Sequence, residues 1–422
     1  MSPQGTFNTA VQAMLSQSQF LSNIGTNIAN VSTTGYKAQD THFQTLLNHI
    51  QPTDKRFFSV NTFDFRQVDK QGTIATTNRT LDLAVNGRGF FVTNSSIDGS
   101  AGFSYTRDGA FFGKAEQLTT DSDNDGTLDQ GTLLTTADGS YVYGWKANDD
   151  GTFTQADSLG SLVPVQYNNN AIFPFKPNTG IQLQANLSAG ANGRQNVGLP
   201  FVDQAGNSRS MTIGFNASIT GEWTLDMNSY GADNQPVDVT FDPPTVQFGG
   251  NGKLTSPSDG ILNVTVNDPA GPQSFTVDIK KMTLFADEGR LTMVGVDQDG
   301  YVNGRLDKSY FTKDGVLVGS YTNGEVKNLF KLPLANFAAD HFLEAKPGNI
   351  FVQTQESGAL MLKGLGDPTG TTKIVAGALE QSNVDLTDQF SKMIITQRAY
   401  SSAAKVLTTA DEMTMAARDL KR

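Results

Sequence analysis

The chain has 422 residues, too many for one ordinary hydrophobic core. Its formal charge of −11, with 31 Lys and Arg against 42 Asp and Glu, argues against a phosphate-binding surface, which needs clustered cations. The absence of cysteine excludes disulfides, thiol catalysis and cysteine-ligated metals, while 42 glycines and a low charged fraction point to a β-rich globular chain.

The first ten residues lack a basic-then-apolar leader pattern, and no apolar run reaches the roughly 20 residues that cross a bilayer. Neither a cleavable signal peptide nor membrane insertion is expected. Phe7, Val11, Met14, Ser18, Leu21, Gly25 and Ile28 are then spaced alternately by four and three residues. That period keeps one helical seam toward a partner helix and predicts a helix over 4–30, stopped by Asn30. Residues 31–70 mix Phe43, Phe57, Phe58, Phe63 and Phe65 with polar residues and read as an ordered linker.

Strand-like runs follow. Leu81–Val85, the turn pair Asn86-Gly87 and the run Gly89–Val92 read as a tight hairpin. Asp-Gly and Asn-Gly pairs at 108–109, 138–139, 299–300, 314–315 and 323–324 mark further turns. Between about 146 and 283 the chain becomes richer in Asn, Pro and Ser. An inserted β domain explains this, splitting another β domain into 71–145 and 284–375; one continuous sandwich is the alternative. Residues 345–375 are glycine-rich and read as a surface loop.

A second helix is expected from Val384-Asp385 onward, with Asn383 or Asp385 as its N-cap. Leu386, Phe390, Met393, Gln397, Tyr400, Ala404, Leu407, Asp411 and Thr414 repeat the four-and-three spacing. The fold class is therefore a mainly β multidomain body with N- and C-terminal α-helices (1–30 plus 384–422) forming a coiled-coil-like terminal domain. Matching seams at both ends suit a polymer subunit better than an enzyme. Pairing of the two helices within one subunit is the competing use of the same pattern.

Chemistry is sparse. Asp121, Asp123, Asp125, Thr127 and Asp129, with Gly126 at the sixth position, follow the opening of a calcium loop. The twelfth position is Thr132, so the bidentate carboxylate is missing, and a solvated acidic turn is the competing reading. No other cofactor is implied. His42, His49 and His341, the three histidines, fall in no zinc or catalytic-triad spacing. An extracellular calcium-dependent β protein or a carbohydrate-active enzyme is the remote alternative.

Four ordered segments carry a resemblance. Asn27–Lys37 (NIANVSTTGYK), Leu81–Phe91 with NGRGFF, Tyr105–Gly109 (YTRDG) and Gly377–Leu386 (GALEQSNVDL), the last followed by Gln397-Arg398-Ala399-Tyr400, resemble signatures of the rod and hook axial proteins of the bacterial flagellum. The inserted middle favours a hook-type over a rod-type subunit. The resemblance implies a non-enzymatic, extracellular structural subunit that polymerises with itself into a flexible torque-transmitting tube, with the terminal helices lining its inner wall. It also implies contact with distal rod, hook cap and hook-filament junction proteins, and passage through the flagellar type III export apparatus. Phe7, Val11, Met14, Leu21, Ile28, Tyr36, Leu386, Phe390, Met393, Gln397, Tyr400 and Leu407 are the candidate assembly residues. Polar members of a seam lower stability and fix register.

Overall fold

Helix α1 (Pro3–Ala29) and helix α2 (Leu386–Asp419) stand at the chain ends, and among the described residues between them the regular structure is strands apart from two short 3-10 turns. The computed structural model describes residues 3–50, 55–117, 130–190, 193–218, 222–230, 236–268, 271–287, 289–364 and 372–419. The chain divides into two units. Unit 1 comprises Met1–Asn169, Lys308–Gly319 and Val326–Arg422; unit 2 comprises Asn170–Asp307 and Ser320–Glu325. The sequence-based limits of the insertion, 146 and 283, fall inside these units, whose main divisions lie at 169/170 and 307/308, with residues 320–325 returning to unit 2.

Both helices begin and end for local reasons. Proline suits the first position of α1 because the N–H it lacks would have no helical partner there. At the other end the Asn30 side-chain amide donates to the Thr26 carbonyl (2.8 Å). Asp385 caps α2, its Oδ1 accepting from the N–H groups of Thr387 (2.8 Å) and Asp388 (3.3 Å). Asp388 in the first turn and Arg418 in the last complement the helix dipole.

The segment read as a linker forms a long antiparallel hairpin, β1 (Gln39–Ile50) with β2 (Lys55–Arg66), paired from Gln39↔Arg66 to Ile50↔Lys55. Its alternation is hard to read because aromatic and polar residues occur on both faces.

The Asn86-Gly87 turn does not make a hairpin. After β3 (Ile74–Thr76), strand β4 (Leu83–Asn86) pairs with the late strand Lys373–Ala376. Strand β5 (Phe91–Asn94) pairs instead with β6 (Phe103–Thr106), and at its far end with the strand Tyr141–Lys146. Leu83, Ala84 and Val85 are fully buried, so this strand is covered on both faces rather than serving as one arm of a half-exposed hairpin.

The glycine-rich stretch read as a surface loop also contributes strands. Ile350–Val352 adds to β6, and Leu360–Gly364 pairs with Pro333–Phe337. Strands this short carry too little periodicity to be seen in the sequence.

Two apolar clusters hold unit 1, one around Phe90, Tyr105, Trp145 and Phe351, the other around Leu83, Phe91, Phe111 and Leu332. Gly109 lies at a close approach inside it: a Cβ there would stand 1.8 Å from the Leu83 carbonyl oxygen. Unit 2 has its own core, with Leu183, Phe201, Ile213, Phe215, Trp223, Val264 and Phe275. Strand Arg194–Val202 shows why: its odd-numbered residues from Gln195 to Phe201 are buried and the intervening ones exposed, the period of a strand with one wet face.

Candidate assembly surface and the junction of the chain ends

The signature residues, far apart in sequence, meet at one buried junction in unit 1. Glu380 is its centre. Its Oε1 accepts from Lys37 Nζ (2.8 Å) and the Gly72 N–H (2.9 Å), and its Oε2 lies 3.3 Å from Arg107 Nη1. The Glu380 backbone carbonyl takes the Gly35 N–H (2.7 Å). Lys37 and Glu380 side chains are each 1% exposed. Lys37 also donates to the Lys70 carbonyl (2.8 Å), and Arg107 Nη2 to that of Gly87 (2.8 Å). Gly35 is required where Thr34 passes this point. Its φ is +63°, and a Cβ would meet the Asp108 nitrogen at 2.7 Å.

One carboxylate thus serves two buried cations. Burial pushes the Lys37 ammonium pKa down; the nearby Arg107 charge adds to this, and Glu380 opposes it. Burial likewise lowers that of Arg107, again opposed by Glu380.

A second, neutral network joins the two helices to the strands. Asn27 of α1 donates to Gln389 Oε1 of α2 (3.1 Å) and to the Gln39 carbonyl (2.7 Å). Its Oδ1 accepts from Tyr36 Oη (3.1 Å) and the Gln39 N–H (2.8 Å). Asn383, an alternative N-cap in the sequence, does other work. It accepts from the Ala38 N–H (2.7 Å) and donates to the carbonyls of Gln67 and Lys70 (both 2.9 Å). Tyr36 is accordingly buried within the chain, with the Arg66 guanidinium 5.2 Å from its ring centre.

The helices run antiparallel: Asn27 meets Gln389 at one end, and Thr6 lies beside Val406 and Ala410 at the other. Along α2 the inward stripe is Gln389, Thr396, Ala403 and Ala410, spaced by seven, with Ala403 half-buried and the others buried. The candidates Phe390 and Gln397 stand one residue beyond members of this stripe, a step of about 100°, and both are exposed. Leu386 and Tyr400 are exposed too, whereas Met393 and Leu407 are half-buried at its margin. On α1, Phe7 is exposed, and Val11, Met14, Leu21 and Ile28 are half-buried.

What remains outward on α2 is strongly apolar. Phe390 is 50% exposed, Ile394 53% and Ile395 68%, while Val406 (48%) and Met413 (64%) stay partly open in the groove beside Thr6, on a helix about 50 Å long at ~1.5 Å per residue. Small and polar residues make up the inward stripe, and the large aliphatic and aromatic ones lie outside it. The seven-residue recurrence of small residues was the sequence signal for the inward stripe. Nothing local marks Glu380 as the partner of Lys37 and Arg107. The acidic loop Asp121–Asp129 lies outside the described residues, and among those described no cluster of three or more His, Asp or Glu could hold a metal.

Residues 375–420 match the family model described as the C-terminal part of the flagellar basal body rod FlgEFG proteins. Several relatives align over the whole of both chains. Two of them are the flagellar hook protein FlgE of Brucella suis biovar 1, 30% identical over 441 residues, and that of Rhizobium meliloti, 28% identical over 436. The crystal structure of Helicobacter pylori flagellar hook protein FlgE2 matches with a TM-score of 0.46 at 14% identity, covering 73% of this chain and all of that one.

Proposed function

Since the chain belongs to the flagellar hook protein family, we propose that it builds the hook as a helical homopolymer whose inner wall is made by α1 and α2. It is a structural subunit, and its work is mechanical. Identical subunits joined through non-self-matching faces give an open tube when the rotation between them does not close a ring. A wall of packed helices surrounded by β bodies resists twist while permitting bending, as a universal joint requires.

The observation that carries this reading is the outward face of α2. Burying one large apolar side chain is worth about 1.5–3 kcal/mol, and the isolated chain leaves at least five such residues wet on one helix. Neighbouring copies are the proposed cover, with the four-and-three seam as a coiled-coil-like contact between subunits. Distal rod, hook cap and hook-filament junction proteins are proposed as end contacts of the polymer, and the flagellar type III apparatus as the route of export to the cell exterior.

Ile394→Asp and Phe390→Asp test the reading. Each places a charge in the proposed contact, at a cost of several kcal/mol if it stays unpaired. Sedimentation and electron microscopy should show loss of polymer, while monomer circular dichroism and melting stay as in the wild type. Normal tubes from both variants would refute helix-walled assembly.

A further inference from the structure

With ten methionines and no cysteine, thioethers are the only sulfur in this chain that an oxidant can attack. Burial sorts them. Met211 and Met282 are sealed in the core of unit 2. Four are open among the described residues: Met293 and Met361 on strands, and Met413 and Met415 near the end of α2. Met413 is the most exposed of these.

Its surroundings set it apart. Met413 lines a groove of about 480 Å³ together with Thr6 of α1 and Val406, Thr409 and Ala410 of α2. Val406 lies seven residues before it, so the two apolar side chains stand on one side of the helix. An unbranched thioether fills an irregular apolar gap well. A sulfoxide in the same place is polar, and its oxygen needs a hydrogen-bond donor once water is excluded. The α2 hydroxyls in the groove are already committed: Ser402 donates to the Arg398 carbonyl and Thr409 to that of Lys405 (both 2.9 Å). Lys405, the charged member of the lining, stands eight residues from Met413, ~12 Å along the helix axis.

We propose that Met413 is a modification site that gates assembly: a peroxide converts its thioether to the sulfoxide on the free subunit, and the sulfoxide keeps a neighbouring copy from closing over the groove. The inference rests on the helix-wall reading, in which that copy covers the helix pair. The chemistry needs only the thioether and the peroxide. The O–O bond breaks, one oxygen is transferred to Sδ, which gives up two electrons, and with hydrogen peroxide the other oxygen leaves as water. The chain has no thiol that would consume the oxidant first. In the polymer the same sulfur is covered, and the reaction slows. Every subunit of a helical polymer meets its neighbours in the same way, so an oxidised Met413 obstructs each contact it enters.

The test treats the full-length chain with hydrogen peroxide, as monomer and as polymer, and follows each methionine by peptide mass mapping. Met413 should gain its oxygen at least tenfold more slowly in polymer than in monomer. Monomer oxidised at Met413 should show a critical concentration for polymerisation raised at least tenfold, with circular dichroism unchanged. Met413→Leu, which keeps an apolar side chain of similar size and cannot be oxidised, should assemble after the treatment as readily as before it. Met413→Gln, which places a polar amide there without any oxidant, should raise the critical concentration by itself. Monomer oxidised at Met413 that polymerises at the untreated concentration, or a Met413→Leu chain that loses assembly on treatment as the wild type does, would overturn the site and leave the hook reading intact. Ile394→Asp, run untreated alongside, separates the two: if it polymerises normally, the helix-wall reading itself fails.

Discussion

Replacing Glu380 by Gln removes the carboxylate that contacts both Lys37 and Arg107 while keeping the side chain's size. Lys37 and Arg107 then stay buried without their shared ion-pair partner, left with the weaker pull of Asp69 and Asp340 respectively, and the Gly72 N–H must share whatever acceptor the amide offers. Breaking a buried ion pair by deleting one partner costs about 3–5 kcal/mol. Because two cations lose the same partner, E380Q should fall at the upper end of that range. Lys37→Met should cost less, since it leaves Arg107 and Glu380 as a simple pair. The double variant should recover about 2 kcal/mol of the E380Q loss, a coupling typical of residues in contact. The two tryptophans make the assay specific, because Trp145 reports unit 1 and Trp223 unit 2. In a Trp223→Phe background, urea titration followed by fluorescence measures unit 1 alone.

The pH dependence has a definite sign. The folded-state pKa of Lys37 lies below its ordinary value of 10.5 because of burial first, and Glu380 partly opposes the shift. Loss of Glu380 lowers it further. In the window between that folded value and 10.5 the unfolded chain binds more protons, so stability rises with pH there. The E380Q deficit should therefore narrow as pH approaches 10.5. A deficit below about 0.6 kcal/mol at neutral pH, or one that widens on raising the pH, would refute the account of Glu380 as the shared counter-ion.

Gly109→Ala puts a methyl group on a backbone oxygen that cannot move aside, and should destabilise unit 1 by about 1–3 kcal/mol or more, read in the same titration. In unit 2, Asp299 accepts from the N–H groups of Thr179 and Gly180 (both 2.9 Å). Burial alone would raise its pKa, but these bonds, the Thr179 hydroxyl and Lys176 outweigh it and hold the carboxyl at about 2. Its contribution, on the order of 1 kcal/mol after solvent screening, is present above the ordinary value of 3.8 and lost as pH falls through about 2. Asp299→Asn should flatten that part of the acid-stability curve followed at Trp223. Calcium binding by Asp121–Asp129 is a further proposal: millimolar Ca²⁺ should raise the melting temperature, and Asp123→Ala should abolish the rise. Coincident melting curves with and without the ion would remove it.

The amino-acid sequence by itself determined the elements whose causes are local. The four-and-three spacing, Asn30 and Asp385 set the two terminal helices, because a helix repeats every few residues and its caps bond to neighbours two to four positions away. Period-two patterning, as in Arg194–Val202, likewise marks the β material. Only the tertiary structure decided which side of each element is inside. The seam Leu386, Phe390, Gln397 and the stripe Gln389, Thr396, Ala403 have the same period, and packing against α1 selects the second within the chain. The same holds for β4, whose partner lies near residue 375 and not across the Asn86-Gly87 turn. Glu380 is 343 residues from Lys37 and 273 from Arg107, so their pairing leaves no local trace. Local geometry is written in spacing; a buried charge finds its partner only when the chain ends are brought together.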